Sequence, residues 1–268
     1  MEIQFAKINP TQNMTIIVLS PVERALQPQL AEKLMAYESV NAEQVGFLEE
    51  ATLPGARARL QMMGGEFCGN ATMSLAAYFA HKDGLAEAVP ASCTLEISGA
   101  AEPLVCDIMK KGGAYRASVA MPLPEKIENL SLPGGSVYPA VFFPGIVHLI
   151  VPAGEMDAET AERAAKDWCA YLNADALGIL LVNEGLSEIR PIVYVRATDS
   201  GVWERGCGSG SAAIGAYLAY KEQKNIAADI IQPGGVITAE AAWCKNSLSS
   251  LRIRSDVRIS AIGTAWVE

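Results

Sequence analysis

The sequence predicts an α+β protein of two pseudosymmetric lobes, each a mixed β-sheet wrapped around a central helix. Three observations carry this. The chain has 268 residues, long for one compact domain and comfortable for two that each bury a core. One stretch recurs about half the chain apart: CGNATMSLAAYFA from Cys68 and CGSGSAAIGAYLA from Cys207 share Cys, Gly, Ala, Tyr and Ala in register, as duplication of one lobe would leave them. Around both copies lie short β-type runs bounded by turn residues.

In chain order, TIIVL, CTLEI and YRASVAM read as strands of the first lobe, and GILLV and PIVYVRA as strands of the second. Each copy of the repeat follows a Gly-containing turn, GGEF or WERG, and reads as a loop entering a helix. The helix after Cys68 is apolar on nearly every face (Met73, Leu75, Ala76, Ala77, Phe79), which suits a helix enclosed by sheet. Ala212, Ala213, Ile214 and Leu218 say the same of the second copy. PLPEKIENLSLPGG, with its prolines, charges and Gly pair, reads as a linker, placing a boundary near residue 125, between lobes 1–124 and 125–258. MDAETAERAAKDWCAYL predicts a helix capped by Asp157 or Thr160, with Trp168 and Leu172 on its apolar stripe. LPGG and QPGG mark turns.

Composition removes several function classes. Half of the residues are hydrophobic and 19% are charged, the make-up of a packed globular protein. A net charge of −9, with no basic run longer than Lys110-Lys111, argues against nucleic-acid binding. MEIQFAKINP lacks the features of a leader, and AVFFPGIVHLIVPAG is short and broken by Pro144, Gly145 and His148, so neither secretion nor a membrane span is expected. The six cysteines form no CxxC pair and no zinc-spaced Cys/His cluster, which implies no disulfide framework, no metal and a reducing cytoplasm.

Cys68 and Cys207 stand apart from the rest. A cysteine at a helix start lies where backbone N–H groups lack intrahelical partners and a partial positive charge favours a thiolate. Small followers, Gly69-Asn70 and Gly208-Ser209, let those N–H groups approach a carboxylate. The helix dipole supplies roughly 0.3–1 kcal/mol, less than one pKa unit against a thiol near pKa 8.5. Water exclusion and N–H contacts to the intermediate must supply the rest. Two such thiols on pseudo-twofold-related helices would face each other and serve opposite faces of one carbon. A single nucleophilic cysteine would want a histidine partner, and His81 and His148 are adjacent in sequence to neither motif. Cys93, Cys106, Cys169 and Cys244 read as core residues.

These motifs, with NMTIIV, NAEQVGFLE, GIVH, QPGG and the closing VRISAIGTAWVE, resemble the diaminopimelate epimerase superfamily of PLP-independent racemases over nearly the whole chain. The resemblance implies that fold, a last strand at 259–268 returning to the first lobe, Cys68 and Cys207 as two catalytic bases, and no cofactor. It also implies a carboxylate-binding turn at Gly69, Asn70, Gly208 and Ser209, and a substrate-binding Asn13. Diaminopimelate epimerases usually carry NADG, GNPH and GxGETxAC where this chain has MMGG, GIVH and VWERGC, so asparagines that hold the distal group give way to Met62 or Ile146. The wording NPTQNMT, NAEQVGF and WERGCGSGSAA is most similar to histidine racemases, including those that supply D-histidine to staphylopine-like metallophore pathways.

Around the two thiols, Glu43 either hydrogen-bonds an imidazole N–H or is a solvated loop acid. Glu204 and Arg205 either grip the substrate's amino and carboxylate groups or form a surface ion pair. His148 either orients the site or fills the second lobe. The partner expected is a small-molecule amino acid, with a homodimer left open. The competing readings are diaminopimelate epimerase or another racemase of the same fold, an isomerase of the phenazine-biosynthesis type, and, from a different class, a thiol redox or metal-binding protein.

Overall fold

The protein is described by a computed structural model over residues 1–267. Its chain separates into two compact units, one formed by residues 1–120 and the chain from Arg254 onward, the other by residues 121–253.

In the first unit the strands are β1 (Glu2–Pro10), β2 (Thr15–Val18), β3 (Gln44–Glu49), β4 (Arg59–Met62), β5 (Pro90–Ile97), β6 (Leu104–Lys111) and β7 (Ala114–Ala120), hydrogen-bonded in that order. β2–β3 and β4–β5 are parallel, whereas β1–β2, β3–β4, β5–β6 and β6–β7 are antiparallel, so the sheet is mixed. The last strand of the chain neighbours β7 and also pairs antiparallel with β1, from Glu2↔Trp266 to Pro10↔Val257, so the sheet closes on itself. Helix α2 (Gly69–Lys82) packs against β1, β2, β5, β6 and β7. All of it except Tyr78, His81 and Lys82 is buried, which explains its apolar character on every face. Burial of Met73, Leu75 and Phe79 stabilises it by roughly 1.5–3 kcal/mol per side chain. A further helix, α1 (Gln27–Met35), was not anticipated. Its Pro28 lies in the first turn, where a missing N–H costs nothing, and Leu30, Ala31 and Leu34 bury against Phe5, Val45 and Phe47.

The second unit holds a six-stranded sheet of β8 (Lys126–Ser131), β9 (Val137–Phe143), β10 (Ile146–Pro152), β11 (Ala176–Val182), β12 (Ile189–Val195) and β13 (Ser200–Trp203), in spatial order β13-β12-β11-β10-β9-β8. Its parallel pair, β10–β11, is bridged by α3 (Ala158–Tyr171), as a parallel connection requires. Asp157 caps that helix, its carboxylate accepting the Thr160 N–H at 2.9 Å. Trp168 and Cys169 sink into a core with Leu149, Leu177, Ile179 and Ile192. Helix α4 (Gly208–Glu222) packs on β14 (Ile226–Gln232) and β15 (Gly235–Cys244), and also touches β9 and β10. The final strand, β16 (Ser247–Trp266), begins in this unit beside β15 and finishes in the first.

Two expectations need correction. PLPEKIENLSLPGG is not a linker throughout, because KIENLS within it is strand β8. It pairs antiparallel with β9 at the sheet edge and turns Leu130 onto the core, and an edge strand tolerates charges and nearby prolines that a central one would not. Cys244 is exposed rather than buried, since it ends β15 just before the positive-φ turn at Lys245-Asn246. Cys93, Cys106 and Cys169 are buried. Among the described residues, no helix is long and apolar enough to cross a membrane.

Candidate active site

Both repeat cysteines are N-caps. Cys68 is extended (φ −134°, ψ 111°) immediately before α2, and its sulfur accepts the Ala71 N–H at 3.4 Å. Cys207 (φ −90°, ψ 107°) stands before α4 in the same way, its sulfur accepting the Gly210 N–H at 3.2 Å. The frame around each is duplicated. Thr72 and Ser211, equivalent in the repeat, donate hydroxyl bonds back to the carbonyls of Cys68 and Cys207 at 2.7 and 2.8 Å. A sulfur thus takes the place of the oxygen that usually caps a helix, where N–H groups favour its anionic form.

The approach to Cys68 is held from behind. The Ser98 hydroxyl donates to the Glu66 carbonyl at 2.8 Å and accepts the Met62 N–H at 2.9 Å. Gly99 follows with φ +73°, and a Cβ there would lie 2.4 Å from the Phe67 nitrogen, so only glycine lets this turn meet the chain leading into Cys68.

Beside the partly exposed Cys68 sits an amide network. The thiol donates to Gln44 Oε1 at 3.1 Å. Parallel pairing of β2 with β3 sets Thr15 opposite Gln44, and Gln44 Nε2 donates to Thr15 Oγ1 at 2.9 Å and to Asn13 Oδ1. Those two acceptors fix the amide so that its oxygen faces the sulfur. The buried Asn13 also receives Asn70 Nδ2 at 3.0 Å and donates from Nδ2 to Glu43 Oε2 at 2.7 Å. Of the residues singled out in the sequence, Asn13, Glu43, Asn70 and Cys68 therefore form one hydrogen-bonded cluster, with Gly69 as the first residue of α2. Gln44, the residue that links the cluster to the sulfur, was not among them.

Cys207 has different neighbours. It is 1% exposed, and its thiol is pushed well above the usual range, first by burial and then by Glu204, whose carboxylate accepts its hydrogen bond, while Ser209 and the Gly210 N–H pull the other way. Glu204 thus contacts the thiol itself, its own N–H pinned to the Pro191 carbonyl at 3.0 Å. Arg205 is exposed, with a guanidinium N–H directed at the Pro233 carbonyl at 3.4 Å. Ser209 Oγ lies 3.5 Å from Cys207 Sγ and 2.9 Å from His148 Nε2, and Gly208 opens the helix. His148, whose role the sequence left open, is fully buried, and desolvation lowers its pKa to about 3, keeping it neutral. A second unanticipated amide completes the site. Gln232, buried at the end of β14, accepts the Cys207 N–H at 2.6 Å through Oε1 and donates through Nε2 to Ser211 Oγ at 2.7 Å. Its only sequence signal was its place in QPGG.

Comparison with known proteins adds an independent finding. Residues 2–266 match the family model described as the histidine racemase CntK N-terminal domain. A histidine racemase of Fusobacterium nucleatum subsp. nucleatum is 34% identical over 241 residues, covering 87% of each chain. One from Staphylococcus aureus Mu50 is 30% identical over 276 aligned positions, covering 99% of this chain and 98% of the relative. Among solved structures, a probable proline racemase of Agrobacterium radiobacter K84 superposes with a TM-score of 0.69 at 13% identity, covering 99% of this chain and 93% of the other. That likeness shows a fold shared with racemases and epimerases.

Proposed function

Because the chain belongs to the histidine racemase family, we propose that it interconverts L- and D-histidine by a two-thiol, cofactor-independent mechanism. The observation that carries this reading is the duplicated frame: two cysteines, each the N-cap of a buried helix, each with its sulfur on the N–H three residues ahead. The architecture is taken as diaminopimelate-epimerase-like.

Each thiol serves one face of the α-carbon. One sulfur, as thiolate, removes the α-proton. The electron pair left on carbon delocalises into the substrate carboxylate, which the N–H groups of the turns at Gly69-Asn70 and Gly208-Ser209 stabilise more as charge develops than in the ground state. The other sulfur, as thiol, gives its proton to the opposite face. The two cysteines end with exchanged protonation states, and solvent exchange resets them. Asn13 and Glu43 form the polar wall for the amino-acid ligand, and the Glu43 carboxylate, already oriented by Asn13, accepts the imidazole N–H.

Chiral chromatography of L-histidine incubated with the enzyme is the direct test, beside a panel of other L-amino acids. D-histidine should accumulate to a racemic mixture, and activity should persist after EDTA and hydroxylamine treatment. Turnover of another amino acid in preference to histidine would overturn the substrate, and loss of activity to either reagent under reducing conditions would overturn the cofactor-free scheme.

A further inference from the structure

His148 belongs to β10, pairs in register with Gly178 of β11 and is fully buried. Its ring fills the space that a side chain at 178 would take: a Cβ on Gly178 would lie 2.2 Å from His148 Nδ1 and 2.6 Å from Cε1. Phe143 closes a further side with its ring at 75° and 6.3 Å. In this slot Nε2 meets Ser209 Oγ at 2.9 Å, Nδ1 has no partner, and Ser209 Oγ in turn lies 3.5 Å from Cys207 Sγ.

We infer that His148 is a positioning residue: its Nε2–H donates to Ser209, which leaves the single Ser209 hydroxyl proton to point at the Cys207 sulfur. A neutral imidazole carries one proton, on either Nδ1 or Nε2. On Nδ1 it would be a buried donor without an acceptor, a costlier defect than an unpaired lone pair, and the Nε2 lone pair would then draw the serine proton away from the sulfur. On Nε2 the proton is satisfied and the donors run one way, His148 to Ser209 to Cys207. Of the titratable groups at this sulfur, Glu204 opposes the anion and the Ser209 hydroxyl favours it. Phe143 and Gly178, packed on the imidazole, carry no charge. Gly178 has a role of its own in this arrangement, since any side chain there displaces the ring.

The hydrogen-bond direction stands on its own, while its consequence for turnover rests on the racemase reading, so the test uses both kinds of readout. The chain has only two histidines, and ¹⁵N-histidine labelling with a His81→Asn control assigns the His148 resonances. The expected result is a neutral ring with the proton on Nε2 across neutral pH. A proton on Nδ1, or an imidazolium, would overturn the inference whether or not the enzyme turns over histidine. The second measurement is the pH dependence of Cys207 alkylation by iodoacetamide, mapped by mass spectrometry, alongside that of kcat/KM. Ser209→Ala should move the Cys207 limb up by about 0.5–1 unit. His148→Phe should move it the same way, should add nothing in the Ser209→Ala background, and should be largely rescued by His148→Gln, which restores a side-chain N–H. A drop in Tm with the limb unmoved, or additive shifts in the double variant, would make His148 a filler of the core and sink the relay. If His148→Phe does not fold, the wild-type ring tautomer and the Gln variant still decide.

Discussion

The turns at Cys68 and Cys207 share a backbone frame and differ in what meets the sulfur. At Cys68 the thiol is partly exposed and its proton is accepted by a neutral amide, Gln44. At Cys207 the thiol is enclosed and its proton is accepted by a carboxylate, Glu204. Two-base inversion requires one sulfur charged and the other protonated at any moment, and two identical turns would leave that choice open. Unequal neighbours give it a default, because burial and Glu204 favour the protonated form at Cys207. The frame is shared, and the lining residues make the two turns unequal.

Removal of either sulfur should have the largest effect. Cys68→Ala and Cys207→Ala should each lower inversion by 10²–10⁴-fold, the usual cost of losing a general acid or base. In D₂O the intact enzyme should place solvent deuterium in early product while recovered substrate keeps its protium. Product that retains its original protium would mean one carrier, and the two-turn scheme would fall. Exchanging the neighbours sharpens the contrast. Gln44→Glu gives Cys68 the kind of partner Cys207 has and should slow proton removal there by about 10-fold, whereas Glu204→Gln should lower the Cys207 limb of the kcat/KM profile by about one unit. Movement of both profiles in the same direction would show that the two turns do not differ as described.

Glu43→Gln should raise KM for histidine by roughly 10-fold, or ~1.4 kcal/mol, and for a smaller amino acid much less; an equal effect on both removes Glu43 from specificity. A further effect concerns acid stability. His148 has a folded pKa lowered to about 3 from 6.5, so the unfolded chain binds the extra proton first. Its contribution is fully present above pH 6.5 and declines as pH falls toward 3, by up to ~1.4 kcal/mol per pH unit. His148→Gln should flatten the urea-derived stability curve by that slope within this window, and an unchanged slope would mean that the ring is not held neutral.

Both sulfurs' local setting was legible because it is written in contiguous residues. Small residues after each cysteine and an unbroken apolar run define a helix start and an enclosed helix, and repetition doubled the signal. Gln44 and Gln232 were not legible, because each reaches its cysteine from a strand distant in sequence, and a lone amide in a β-run has no periodicity to betray it. For Glu204 the sequence leaves a substrate contact and a surface ion pair open, because it shows that Glu204 precedes Cys207 but not that its carboxylate bears on the sulfur. Strand β8 was hidden by prolines and charges that an edge position tolerates, and helix α1 by Pro28, which looks like a breaker until it is known to lie in the first turn.

Strand β16 has a consequence for how the protein is made. Val257–Trp266 pairs with Glu2–Pro10, so the sheet of the first unit cannot close until residues 257–266 have been made. Contacts so far apart in sequence form slowly. Until they form, the apolar helix that begins at Cys68 has no complete wall around it, and Met73, Leu75 and Phe79 remain open to wrong partners. The nascent chain therefore passes through a stage in which its second unit can complete its six-stranded sheet while its first cannot yet close.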